Sequence, residues 1–279
     1  MQILTRVPIL FDGADGQTQH APLVMGTVGG RTTRFVLDSG SEVHLLTQEL
    51  SESLGLEKVP GEEGVDHSGN TMPSWTVGTV PMEVGDTRVT LNDVVVIPAP
   101  PPFMRWGVGG ALAPQNLHPT AASVVDLVDD ELILAEGSDG DLEAFLRERS
   151  PDLELVRLAR DDVLANVVVP AAIAGYPEIP TLIDTGGKRT EVAAASVPGL
   201  EAKGSESLGR GVGGTGFEGA SAGPQTLVVA GHRRSIPDLA VRAAMHGTNC
   251  LIGMDVLRGT ILTCASDLGR PVFWQFRRG

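Results

Sequence analysis

Cysteine, tyrosine and positive charge are what this sequence has least of. Its two thiols, Cys250 and Cys264, cannot form a disulfide framework, so a reducing compartment is the simpler expectation. A single bridge between them stays open, because both fall in segments that read as neighbouring strands. Lys and Arg number 21 against 35 Asp and Glu, for a formal net charge of -14, and nowhere do the cations form a run. A surface that tracks phosphates needs a basic stripe, which argues against a nucleic-acid partner. No stretch of about 18 consecutive apolar residues occurs, so no membrane span is expected. The opening MQILTRVPILFDG lacks a basic start followed by an apolar run of signal-peptide length, which makes the cytoplasm the default location. The histidines at 20, 44, 67, 118, 232 and 246 show no metal-ligand spacing, and neither metal nor cofactor is expected.

Glycine and proline, by contrast, are plentiful at 35 and 19, and they favour many short strands and turns over long helices. A length of 279 residues exceeds the usual single domain, which suggests two packed units. The chain also says the same thing twice. Residues 21–46 read APLVMGTVGGRTTRFVLDSGSEVHLL, and residues 166–192 read NVVVPAAIAGYPEIPTLIDTGGKRTEV. Each copy has an apolar run, a Gly-containing turn and a second apolar run that ends in Asp-Ser-Gly or Asp-Thr-Gly, the pattern of a hairpin delivering an Asp at its mouth. An echo follows: Gly109 of WGVGGALAP lies 71 positions after Asp38, and Gly253 of CLIGMDVL lies 69 after Asp184.

Between motif and echo, residues 76–98 read as three strands separated by Gly85-Asp86 and Asn92-Asp93 turns. Residues 209–224 read as a glycine-rich loop. Thr47 is expected to cap a short helix containing Leu50 and Leu54 and closed by Gly55; Asp141 is expected to cap another in DLEAFLRER. The polar stretch 135–141 is the best linker candidate, which puts the unit boundary near residue 150, between 1–150 and 151–279.

Two carboxyls that share one proton can hydrolyse an amide without metal or covalent intermediate. The ionised one takes a proton from water, and the protonated one gives its own to the leaving nitrogen. Like charges about 3 Å apart cannot both ionise, so the apparent pKa values of such a pair split. One Asp from each copy, Asp38 and Asp184, meets that requirement. Gly40 and Gly186 leave backbone N–H groups free to approach a carboxylate, and the Ser39 and Thr185 hydroxyls can bond across to the opposing loop.

The paired apolar-apolar-Asp-Ser/Thr-Gly segments, each with an apolar-apolar-Gly segment downstream, resemble the pepsin and retropepsin superfamily of aspartic peptidases. The likeness spans roughly residues 20–275, and LIGMDVL in particular resembles the retropepsin segment that threads beside the catalytic loop. It implies an all-β, bilobal fold of two pseudo-symmetric β-barrel lobes with few short helices. It also implies a peptide or protein substrate and an Asp38/Asp184 catalytic pair braced by Ser39 and Thr185, with Gly40 and Gly186 shaping the turns. The hairpin around 65–75 would be a flap carrying His67 and Trp75, and 209–224 its counterpart. With both aspartates in one chain, a monomer suffices. This sequence departs from the family at Gly187-Lys188 and in lacking a flap tyrosine, since Tyr176 precedes Asp184. Those departures keep a second reading in play, a non-catalytic peptide- or protein-binding module of the same fold.

Other patterns carry less. Gly211 to Gly216 fits G-x-G-x-x-G but lacks the strand before and the helix after that nucleotide binding requires. Asp12, Asp15, Asp139 and Asp141 read as solvated turns, and Asp255 as a residue that satisfies local backbone groups.

Overall fold

A computed structural model describes residues 1–66, 69–160, 166–210 and 216–277. The first half begins with β1 (Gln2–Pro8), β2 (Leu10–Asp12), β3 (Thr18–Val28), β4 (Arg31–Leu37) and β5 (Leu45–Thr47), then α1 (Gln48–Ser53). It continues through β6 (Val59–Pro60), β7 (Gly64–Val65), β8 (Thr71–Met72), β9 (Trp75–Val77), β10 (Val80–Val84), β11 (Thr87–Leu91) and β12 (Val94–Ile97). After α2 (Pro101–Trp106) come β13 (Val108–Leu112), β14 (Ala122–Asp126), β15 (Glu131–Glu136) and α3 (Asp139–Arg149). The second half runs β16 (Glu154–Leu158), β17 (Val168–Ile173), β18 (Ile179–Ile183), β19 (Glu191–Ala193), β20 (Lys203–Arg210), β21 (Gly216–Ser221), β22 (Gln225–Val229) and β23 (His232–Ile236). It closes with β24 (Ala240–Arg242), β25 (Cys250–Ile252), α4 (Met254–Leu257), β26 (Ile261–Cys264) and β27 (Val272–Phe276). The fold is all-β with few short helices.

Two large sheets repeat one strand order. The first runs β11-β10-β3-β4-β13-β5-β12-β9-β6, and the second β23-β22-β17-β18-β25-β19-β24-β21-β20. Each begins with hairpins whose exposure alternates as period-two patterning demands; Val80, Met82 and Val84 of β10 point inward while Pro81 and Glu83 face solvent. A third sheet, β1-β15-β14-β26-β27-β16, draws strands from both halves. Its central strands β14 and β26 are buried along their whole length. One apolar cluster joins all three sheets, from Phe35 and Leu112 through Ile183 and Ile252 to Trp274, whose ring meets Phe276 edge-on at 5.1 Å.

The hairpins β3–β4 and β17–β18 form as read, and so do the strands β10, β11 and β12. Thr47 caps α1, its Oγ1 accepting from Leu50 N at 3.3 Å. α3 starts earlier than expected. Ser138 is its cap and Asp141 is the third helical residue, which returns the favour by accepting from Ser138 N at 3.0 Å. The expected linker 135–141 is therefore structured, divided between the end of β15 and the first turn of α3. Residues 209–210 and 216–221 belong to strands β20 and β21 and not to a loop; 211–215 lie outside the described residues. Cys250 and Cys264 sit in different sheets, both free and buried, and burial pushes each thiol up to about 12. No described helix is long and apolar enough to cross a membrane.

The crossing of β13 between β4 and β5 depends on Gly110, where an added Cβ would fall 1.9 Å from the Leu45 carbonyl oxygen. Because that obstacle is backbone, it cannot rotate away. Gly110→Ala is expected to destabilise the fold by about 3 kcal/mol or more. Gly78→Ala, which meets nothing within 4 Å, should stay close to neutral. Urea unfolding of both variants checks the difference.

Candidate active site

Each hairpin hands its second strand to an aspartate, and the same bonds recur on both sides. Asp38 N donates to Leu112 O at 2.9 Å, and Asp184 N donates to Ile252 O at 3.0 Å. Leu112 and Ile252 each run parallel to the strand that delivers the Asp, beside Leu37 in one sheet and Ile183 in the other. This makes Ala113, and not Gly109, the counterpart of Gly253. The echo expected at Gly109 is four residues out of register.

The two loops then interlock. Ser39 N donates to Thr185 Oγ1 at 3.0 Å, and Thr185 N donates to Ser39 Oγ at 3.1 Å. Each hydroxyl donates onward to a carbonyl of the other half, Ser39 to Ile183 O and Thr185 to Leu37 O, both at 2.7 Å. Neither side chain touches solvent. Gly40 and Gly186 bring the loops to contact: a Cβ on Gly40 would meet Asp184 Cγ at 2.7 Å, and one on Gly186 would meet Asp38 Cγ at 2.7 Å. Their N–H groups donate to Asp38 Oδ1 at 3.0 Å and Asp184 Oδ1 at 2.9 Å.

The structure thus brings Asp38 and Asp184 together, each beside the glycine of the opposite loop and close enough to shift the other's pKa. Burial raises the Asp38 pKa, against the hydrogen bonds from Asp184, Gly40 and Ser41 that lower it. Asp184 is held well above the usual carboxylate range, first by burial and then by the charge of Asp38. The two carboxyls therefore titrate as a pair that keeps one proton between them well into the range where a lone carboxylate is ionised. Gly187 N adds a second donor to Asp184 Oδ1 at 2.9 Å. Lys188 is exposed, and its charge acts on His20.

Strands β7 and β8 form a separate two-stranded hairpin, and Gly69 at its turn approaches His246 of the second half. His67 lies outside the described residues. Trp75 stands at the base of this hairpin, half-buried against the main core, with Lys58 Nζ 5.2 Å from its ring centre. Strands β20 and β21 hold the place in their sheet that β6 and β9 hold in the other.

Several supporting residues escaped the sequence reading. Ala113 N donates to His44 Nδ1 at 3.3 Å, and Gly253 N donates to Thr190 Oγ1 at 3.2 Å. His44 and Thr190 each stand six positions after the aspartate of their half, an offset that could have revealed them. With Nδ1 accepting, the His44 proton sits on Nε2, which faces Asn116 O at 3.1 Å, and burial lowers the pKa of the ring. Asp255 accepts from Thr190 Oγ1 at 2.8 Å, in keeping with a local structural role. Among the described residues no His, Cys, Asp or Glu group could hold a metal ion.

The family model described as aspartyl protease matches residues 24–129, the stretch that contains Asp38-Ser39-Gly40 and Leu112. No curated protein matches the chain.

The raised Asp184 pKa carries a stability signature. An unfolded Asp titrates near 3.9, so the folded chain holds its proton to higher pH than the unfolded chain does. Stability is then greatest below that value and is lost as pH rises through the raised range. Asp184→Asn cannot titrate. The melting temperature of the wild type relative to Asp184→Asn should fall between pH 3 and pH 8, as thermal unfolding at each pH would show; a constant difference would contradict the assignment.

Proposed function

We propose, from the match of residues 24–129 to the aspartyl protease family model, that this chain is an aspartic endopeptidase whose water is activated by an Asp38/Asp184 dyad. The observation that carries the reading is the reciprocal loop pair, in which each half supplies one carboxyl, one hydroxyl brace and one closely approaching glycine. Ionised Asp38 takes a proton from water as the hydroxide oxygen adds to the substrate carbonyl. Asp184 donates its proton to the carbonyl oxygen that becomes the second hydroxyl of a gem-diol. Collapse of the diol then breaks the C–N bond: the nitrogen takes a proton from Asp38, Asp184 recovers one from a diol hydroxyl, and the dyad returns to its starting state.

In this reading residues 1–150 and 151–279 form two lobes over the shared six-stranded sheet, and the substrate lies extended between them. The β7–β8 hairpin serves as a flap, with Trp75 of β9 at its base and β20–β21 as its counterpart. Backbone pairing to these edges would hold the substrate by strand addition. A chain with both aspartates works as a monomer, and two reduced thiols suit the cytoplasm.

The test is cleavage of a peptide library between pH 3 and 7 by wild type, Asp38→Ala and Asp184→Ala. Wild type should cleave, and each variant should lose about a thousandfold or more in kcat. Equal behaviour of all three would remove the catalytic reading and leave a peptide-binding module on the same fold.

A further inference from the structure

We propose that His20 and Asn166 are matched positioning residues that each pin the aspartate loop of the opposite half through its glycine carbonyl. The inference rests on the peptidase reading above for its kinetic consequence, but not for its geometry.

Each residue lies eighteen positions before the aspartate of its own half, 20 against 38 and 166 against 184. His20 is in β3, and Asn166 stands two residues before the equivalent strand β17. His20 Nε2 lies 3.2 Å from Gly186 O, and Asn166 Nδ2 donates to Gly40 O at 3.2 Å. The contacts are thus reciprocal, like the hydroxyl braces, although the residue types differ.

A carbonyl oxygen only accepts, so the His20 proton must sit on Nε2 for this bond to form. The imidazole meets the Trp106 ring edge-on at 5.7 Å. Burial and the nearby Lys188 charge both disfavour the imidazolium, leaving the neutral Nε2–H form, with the Gly186 carbonyl as the opposing influence. On the other side, the Asn166 Oδ1 is buried without a hydrogen-bond partner among the described residues. An amide that leaves its acceptor unsatisfied while its donor is engaged owes its place to the donor.

The anchored carbonyls belong to Gly40 and Gly186, where an added Cβ would collide with the opposing carboxyl. Releasing either carbonyl frees its loop to retreat from the dyad. His and Asn share an N–H donor, whereas Leu has comparable bulk and no donor.

The experiment compares His20→Leu, His20→Asn and Asn166→Ala on a peptide that the wild type cleaves. His20→Leu and Asn166→Ala should each lower kcat about tenfold with KM within about twofold, since the loss is in alignment of the reacting groups. His20→Asn should restore most of kcat. In parallel, carbon-13 shifts of the Gly186 and Gly40 carbonyls should move in His20→Leu and Asn166→Ala respectively, and nitrogen-15 shifts should place the His20 proton on Nε2. Leu and Asn behaving alike at position 20, with the Gly186 shift unchanged, would overturn the proposal. If His20→Leu does not fold, the Asn166→Ala and His20→Asn measurements decide it in the same way. If the wild type cleaves nothing, the peptidase reading falls while the two carbonyl shifts still decide the pairing.

Discussion

Two carboxyls held close together, one from each half, are the constraint from which the rest of the structure follows. If both ionised about 4 Å apart, their repulsion at an effective dielectric of about 20 would be about 4 kcal/mol. Sharing a proton removes most of that penalty, but it does not hold the two side chains in place. The hydroxyl braces do. Ser39 and Thr185 each accept one backbone N–H and donate to one carbonyl of the opposite half, so four bonds cross the interface at full use of both hydroxyls. At about 1 kcal/mol apiece, these bonds fix the two loops in the positions that proton sharing alone leaves free.

That demand propagates outward. A loop that presents both an Asp and a brace needs its backbone fixed on the side away from the partner, and Leu112 and Ile252 do this by accepting the N–H of Asp38 and Asp184. To reach those positions, β13 and β25 must each run beside the strand that delivers the aspartate and beside the strand that leaves the loop. Gly110 is the residue that lets β13 pass so close to the Leu45 carbonyl. The pairing of β14 with β26 then joins the two halves through a sheet that neither could complete alone.

Much of this was legible because it is written in local pattern. The two hairpins, the aspartates, the hydroxyl residues and the glycines all follow from apolar runs and turn residues that recur at similar spacing. The downstream echo was misplaced because glycine drew the comparison. Gly253 needs to be glycine, since a Cβ there would strike the Arg189 backbone at 2.4 Å, but its counterpart Ala113 does not meet that obstacle. Likewise Ser138 was passed over for Asp141 as the α3 cap because either can cap a helix, and only the backbone geometry distinguishes the cap from the third helical residue. His20 and Asn166, or His44 and Thr190, share an offset but no residue type, so similarity of letters could not pair them.

Those mismatched pairs show which level of description the two halves hold in common. Leu45 and Ile97 occupy strand positions taken in the second half by Glu191 and Arg242, an ion pair 3.1 Å apart and almost wholly buried. Burial raises the Glu191 pKa, and Arg242 pulls it back, so the pair must offset a desolvation cost that the apolar pair never incurs. An apolar contact in one half and an ion pair in the other can support the same backbone because such exchanges are often close to neutral in net stability. The exchange has no such freedom at Ser39 and Thr185, where a residue must donate and accept at once. Side chains that only fill space or supply one donor differ between the halves, and those that must do both across the interface carry a hydroxyl on each side.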